Sequence, residues 1–129
     1  MLVVDDDPRV RQMIRWALEE EGLEVETAAD GQQALDRAGT RPPAVVILDL
    51  TLPVLDGYGV AEQLRASYGQ QLPILVITAD GSAAEKARRV GAYAHVNKPF
   101  DLGELLFAVH QGLCQRCRRT GTRQPGRSG

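Results

Sequence analysis

An open α/β fold is what this sequence predicts: one doubly wound (βα)5 domain around a five-stranded parallel sheet. Three observations carry the prediction. Short apolar runs alternate five times with segments of helical period. Two of those runs, 44–48 and 74–77, are apolar without interruption, as strands covered on both faces are. Acidic, hydroxyl or amino side chains stand at the C-terminal ends of four runs, where open α/β sheets keep their sites.

Leu2–Val4 reads as the first strand. Asp7 is placed to cap the helix after it, with Pro8 at the first helical position. Val10, Met13, Ile14, Ala17 and Leu18 form a core-facing stripe at i, i+3, i+4, i+7 and i+8, and Gly22 marks the helix end. Residues 24–28 alternate in polarity and read as a half-exposed edge strand. Asp30 caps a short helix carrying Ala34, Leu35 and Ala38, and Pro42-Pro43 punctuates the chain before strand 44–48.

A loop over 49–56 leads into a helix over about 57–68, with Val60, Ala61 and Leu64 inward. Pro73 precedes strand 74–77, and Gly81-Ser82 opens a helix of Ala83, Ala84, Ala87 and Val90 that stops at Gly91-Ala92. Residues 93–96 form the last strand. Asp101 caps a final helix in which Leu102, Leu105, Leu106, Val109 and Leu113 recur with helical period. Central placement of the third and fourth strands and an edge position for the second fit the order 2-1-3-4-5, the flavodoxin-like arrangement. The first and third strands are then neighbours, so Asp5, Asp6 and Asp49 converge.

Composition limits the function. At 129 residues the chain makes one ordinary domain, and 43% hydrophobic with 25% charged residues is globular usage. No apolar run approaches the roughly 20 residues of a membrane span. No basic region precedes the N-terminal apolar stretch, so the expected compartment is the cytoplasm. Five arginines, Arg116, Arg118, Arg119, Arg123 and Arg127, lie in an acid-free stretch over 116–129. Without them, 10 basic stand against 17 acidic residues over 1–115, a balance of −7. Such a body is a poor nucleic-acid binder. The expected division is a domain over 1–115 and a basic, disordered tail or linker stub over 116–129. His110, Cys114 and Cys117 share one face if the last helix continues, but three ligands at a helix end make a poor zinc site, and packing or exposure explains them more simply.

Three carboxylates at one sheet edge demand a cation or raised pKa values. An oxygen-only ligand set suits Mg²⁺ better than zinc. Beside such a cation Asp49 becomes a candidate nucleophile toward a phosphoryl group, with Lys98 supplying a point charge and Thr78 a hydroxyl to the phosphoryl oxygens.

With these residues the chain resembles the receiver domains of response regulators in bacterial two-component signalling. It matches at Val3-Val4-Asp5-Asp6-Asp7-Pro8, at 48–57 (Leu48-Asp49 through Asp56-Gly57), at Ile77-Thr78-Ala79 and at Lys98-Pro99-Phe100, four motifs in order across about residues 1–115. The resemblance implies that Asp49 accepts a phosphoryl group from a sensor histidine kinase or a phosphotransfer protein. It implies Mg²⁺ on Asp5, Asp6, Asp49 and the Thr51 backbone carbonyl, sensing of the phosphoryl group by Thr78 and Lys98, and a cis Lys98–Pro99 bond. It further implies a changed surface on the fourth helix, fifth strand and fifth helix that controls a protein effector or an output domain, or forms a phosphorylation-dependent homodimer. Such a domain catalyses only its own phosphorylation and dephosphorylation.

Three departures from the family pattern stand out. His95 occupies the position where receivers carry a rotating Tyr or Phe, so either it acts as a pH-sensitive switch or it is an ordinary strand histidine. The first strand begins almost at Met1, so either the natural start lies upstream or the sheet accepts a short end. Asp80 and the Thr51 side chain stand where they would tune dephosphorylation. Asp7 reads as a helix cap, Asp56 as a turn residue, and Lys86, Arg88 and Arg89 as a solvated face.

Competing functions fare worse. A flavodoxin-type or dinucleotide-binding protein needs a Gly-rich phosphate cradle where this chain has three acids. An aspartyl-phosphate hydrolase needs an acid two residues after Asp49, and Thr51 stands there. A receiver-like module with dead chemistry would not retain all five site residues. No DNA-binding motif follows residue 115. The chain works as a stand-alone receiver acting through protein partners or as a piece of a longer regulator.

Overall fold

The computed structural model describes residues 1–40, 43–50, 57–69, 71–79 and 83–119, with side chains to residue 114 of the last helix. Elements alternate as β1 (Leu2–Val4), α1 (Pro8–Glu20), β2 (Glu26–Ala28), α2 (Gly31–Thr40), β3 (Val46–Asp49), α3 (Gly57–Tyr68), β4 (Ile74–Thr78), α4 (Ala83–Val90), β5 (Ala94–Asn97) and α5 (Leu102–Arg119). All strands pair in parallel in the order β2-β1-β3-β4-β5, as predicted.

The pleat divides the core in two. Leu2, Val4, Val46, Leu48, Ile74 and Val76 point to one face, where Ala34 and Ala38 of α2, Val60 and Leu64 of α3 and Ala87 and Val90 of α4 cover them. Val3, Ile47, Leu75 and Ile77 point to the other and pack on Ile14 and Leu18 of α1 and Leu105 and Val109 of α5. This is the period-2 geometry of a strand sandwiched between helices, and it explains the unbroken apolar runs.

Local signals set the helix boundaries. Asp7 accepts the Arg9 N–H at 2.9 Å and Pro8 follows it, so α1 starts where the sequence indicated. Gly91, at φ +70°, closes α4: the Ala92 N–H reaches back to the Ala87 carbonyl at 2.9 Å, the wide loop of a left-handed helix cap.

Some expectations shift. Met13, read as core-facing, is exposed, as is Ala84 of α4. In α1 the buried positions are Ile14, Ala17 and Leu18, so the inward stripe is centred away from Met13. Ala84 sits one residue past the buried Ala83 and so points about 100° around the helix from it. Strand β2 starts at Glu26 rather than 24, although the parallel bonding continues to the chain start, with the Met1 nitrogen donating to the Glu24 carbonyl and the Glu26 N–H to the Met1 carbonyl, each at 2.8 Å. Helix α5 spans Leu102–Arg119. Thr51, Asp56 and Asp80 lie outside the described residues.

Candidate functional site

The strand order reverses between β1 and β3, which opens a crevice at their C-terminal ends. Asp5 directly follows β1, Asp49 is the last residue of β3, Thr78 ends β4 and Lys98 directly follows β5. Four separate stretches of chain thus deliver side chains to one edge of the sheet. Asp5, Asp49 and Thr78 are the buried polar residues among the described ones, whereas Asp6 is exposed.

Carboxylate oxygens of Asp5, Asp6 and Asp49 lie within 4.8 Å of one another. Lys98 reaches into this cluster. Its Nζ lies 2.8 Å from Asp5 Oδ2 and donates to Asp49 Oδ2 at 3.2 Å, with 19% of its side chain exposed. Toward Asp5 the ammonium makes an ion pair off the hydrogen-bonding direction, so Oδ2 is buried without a well-formed hydrogen bond. The other oxygen, Oδ1, accepts the Asp7 N–H at 2.9 Å.

The electrostatics follow from this burial. Loss of hydration pushes the Asp5 carboxyl above its usual range and the Asp49 charge adds to the shift, while Lys98 and the Asp7 N–H pull against it. For Lys98, burial works against the charged form, but the two carboxylates outweigh it and hold the ammonium above its usual range. One cation is therefore shared between two buried anions, with a third acid at the rim. An under-satisfied, desolvated oxygen within a three-carboxylate set fits a hard divalent cation such as Mg²⁺, which takes oxygen ligands and keeps several waters.

Of the residues singled out from sequence, Asp5, Asp6, Asp49 and Lys98 come together. Thr78 is buried at the end of the neighbouring strand, where its carbonyl accepts the Lys98 N–H at 2.9 Å. The Lys98–Pro99 bond is cis. His95 is exposed on β5, opposite Val76 in the ladder. His110 meets Glu21, which follows the last residue of α1, at 3.3 Å, and Cys114 is exposed. Sequence reasoning assigned no role to Arg11, whose guanidinium donates to the Asp5 carbonyl at 2.8 Å and steadies the turn between β1 and α1. Its position six residues after Asp5, on the first turns of α1, is the signal that could have found it. Asp7, read only as a cap, also orients Asp5 through its N–H.

Acids, a hydroxyl and a lysine thus stand together at the switch point of a doubly wound sheet. The chain is a member of the response regulator receiver domain family of two-component systems, whose pattern matches residues 1–110. It is 46% identical over 108 residues to the response regulator MprA of Mycolicibacterium vanbaalenii, a match covering 82% of this chain and 46% of that protein. The chain thus spans about half the length of the curated relatives it matches. Among solved structures, the chemotaxis protein CheY4 of Vibrio cholerae superposes with a TM-score of 0.80 at 37% identity, covering 87% of this chain and 96% of that one. The receiver domain of NtrX from Brucella abortus superposes with a TM-score of 0.79 at 32% identity, with the same coverage.

Proposed function

We propose that Asp49 is the phospho-acceptor of this receiver. The observation that carries the reading is the shared ammonium: Lys98 Nζ stands 3.2 Å from Asp49 Oδ2 and 2.8 Å from Asp5 Oδ2 at the mouth of the switch-point crevice. A carboxylate oxygen of Asp49 attacks the phosphorus of a phosphohistidine on a sensor kinase or phosphotransfer protein. The new O–P bond forms as the P–N bond breaks, and the imidazole leaves. The reaction asks for positioning and charge neutralisation more than for covalent help.

Residues of this chain supply both. Lys98 follows the transferring oxygens as a compact charge on a flexible stem. Thr78, held at the end of β4, offers its hydroxyl to another phosphoryl oxygen. Asp5, Asp6 and Asp49, with the Thr51 carbonyl, would hold Mg²⁺, which neutralises charge that the phosphoryl group brings to an already acidic site. Asp5 is fixed for that role by the Asp7 N–H and by Arg11.

Phosphorylation then changes the surface of α4, β5 and α5 through Thr78, with His95 as the switch residue on β5. That surface controls a protein effector or an output domain, or builds a homodimer. The functional unit spans 1–115, with 116–129 as a basic tail or linker. It acts in the cytoplasm, catalyses only its own phosphorylation and dephosphorylation, and contacts neither nucleic acid nor membrane directly. Incubation with acetyl phosphate tests the core of the reading. Wild type gains one phosphoryl mass in the presence of Mg²⁺ and none after chelation, and Asp49→Ala gains none. A mass gain that survives in Asp49→Ala would refute it.

A further inference from the structure

Away from the phospho-acceptor site, a groove of about 870 Å³ runs between α3 and α4. Small residues, Gly59, Ala61 and Ala66, open it on the α3 side. Its charged lining is Arg65, Arg88 and Arg89 against Glu62 alone, on a domain whose residues 1–115 carry −7.

The three arginines differ in what occupies them. Arg65 is committed to backbone, donating to the carbonyls of Leu72 at 3.2 Å, Val90 at 2.9 Å and Gly91 at 2.6 Å. Arg89 lies over the Tyr58 ring, 4.2 Å from its centroid, so its guanidinium plane is held while its N–H edges stay exposed. Arg88 is exposed and makes no ion pair among the described residues, and neither does Glu62 beside it. Two guanidinium groups on adjacent α4 positions, one pre-oriented by stacking, therefore line a groove whose own acid leaves them uncompensated.

We propose that this α3–α4 groove is an interaction surface for an acidic protein segment, its carboxylates taken by Arg88 and Arg89 and its backbone lying along the small residues of α3. Planar guanidinium forks match carboxylates bidentately. Holding Arg89 in advance reduces the ordering cost of binding. A nucleic-acid partner fits worse, because backbone binding draws on many cationic contacts, and the surrounding domain is anionic. The groove leaves out β5 and α5, and its chemistry rests on its own lining residues rather than on the role of Asp49.

The test is an amide chemical-shift titration of the ¹⁵N-labelled full chain with a capped helical peptide of about four turns bearing glutamate pairs on one face. A glutamine counterpart and a short DNA duplex serve as comparison probes. The glutamate peptide is expected to shift amides within 58–66 and 88–91, and R88E/R89E to bind it about tenfold more weakly. The glutamine peptide and the duplex should leave these amides in place. Thermal melts of R88E/R89E and of the milder R88Q/R89Q establish that both fold, and R88Q/R89Q should weaken binding to an intermediate degree. Shifts confined to α1 or to β5 and α5, unchanged affinity in the charge-reversed protein, no binding at millimolar peptide, or preferential binding of the duplex would each overturn the proposal.

Discussion

Gly112→Ala sets two opposing effects against each other in the last helix. In an ordinary helix interior the change stabilises by about 0.5–1 kcal/mol, because glycine has more backbone freedom to lose. Here an added Cβ would meet the Tyr93 ring, 2.6 Å from Cζ and 2.9 Å from Cε1, with the hydroxyl oxygen closer still. Tyr93 cannot yield easily. It sits just before β5, its N–H bonds the Ile74 carbonyl at 3.1 Å, and its hydroxyl donates to the Ala108 carbonyl at 2.5 Å. Its burial is deep enough to push the phenol well above its usual range.

Overpacking of this kind costs about 1–3 kcal/mol, and displacing the ring forfeits a hydrogen bond of about 1 kcal/mol. After the helical gain, Gly112→Ala should destabilise by roughly 1–3 kcal/mol. At about 4 °C per kcal/mol for a domain of this size, the melting temperature falls by on the order of 4–12 °C. Urea unfolding with circular dichroism measures the free energy directly, and a double-mutant cycle isolates the cause. In a Tyr93→Ala background the same change should become neutral or stabilising. If Gly112→Ala stabilises the wild-type chain, or destabilises the Tyr93→Ala chain equally, the steric argument fails.

Other predictions concern charge. Asp5→Asn should raise the melting temperature of metal-free protein near pH 7. A carboxyl whose folded pKa is raised above its unfolded value contributes stability that is present below the unfolded pKa of 3.8 and is lost as pH rises through the folded value. The gain from Asp5→Asn should thus vanish toward pH 3, and stabilisation by Mg²⁺ should vanish with it; an unchanged melt at pH 7 contradicts this. Lys98→Met strands two buried carboxylates and should cost about 3 kcal/mol at pH 7, with less loss in acid, read from urea midpoints at the two pH values. Arg65→Met removes a charged donor from three carbonyls and should cost roughly 2 kcal/mol. Amide exchange should rise most at the C-terminal end of α4, and uniform exchange across the domain would show that Arg65 does not pin that helix.

The architecture was legible because it rests on one-dimensional patterns. The unbroken run over 44–48 and the alternation over 24–28 distinguish central from edge strands, and the observed order follows. The acid cluster was legible for the same reason: once β1 and β3 are neighbours, Asp5 and Asp49 must approach. What sequence does not carry is the division of labour within the cluster. Asp5 and Asp6 are adjacent and identical, yet one is buried and the other exposed, because successive residues leaving a strand face opposite ways. Nor does it show that Lys98 is shared between two acids, which depends on the reach of one side chain across three strands. Met13 misled because a helical stripe is read to within one residue of its centre, and its edge residues go either way. The contact of Gly112 with Tyr93 joins residues 19 apart and has no local signature.

Burial of the Lys98 cluster makes ionic strength a means of separating this domain's two charged surfaces. The carboxylates paired with Lys98 are 0% and 1% exposed, so dissolved ions hardly screen them. Arg88 and Arg89 stand in solvent, where a Debye length of about 8 Å at physiological salt already weakens their reach. A receiver moved from dilute to concentrated buffer should therefore keep the geometry of its Lys98 cluster, while the acidic partner proposed for the α3–α4 groove should bind more weakly.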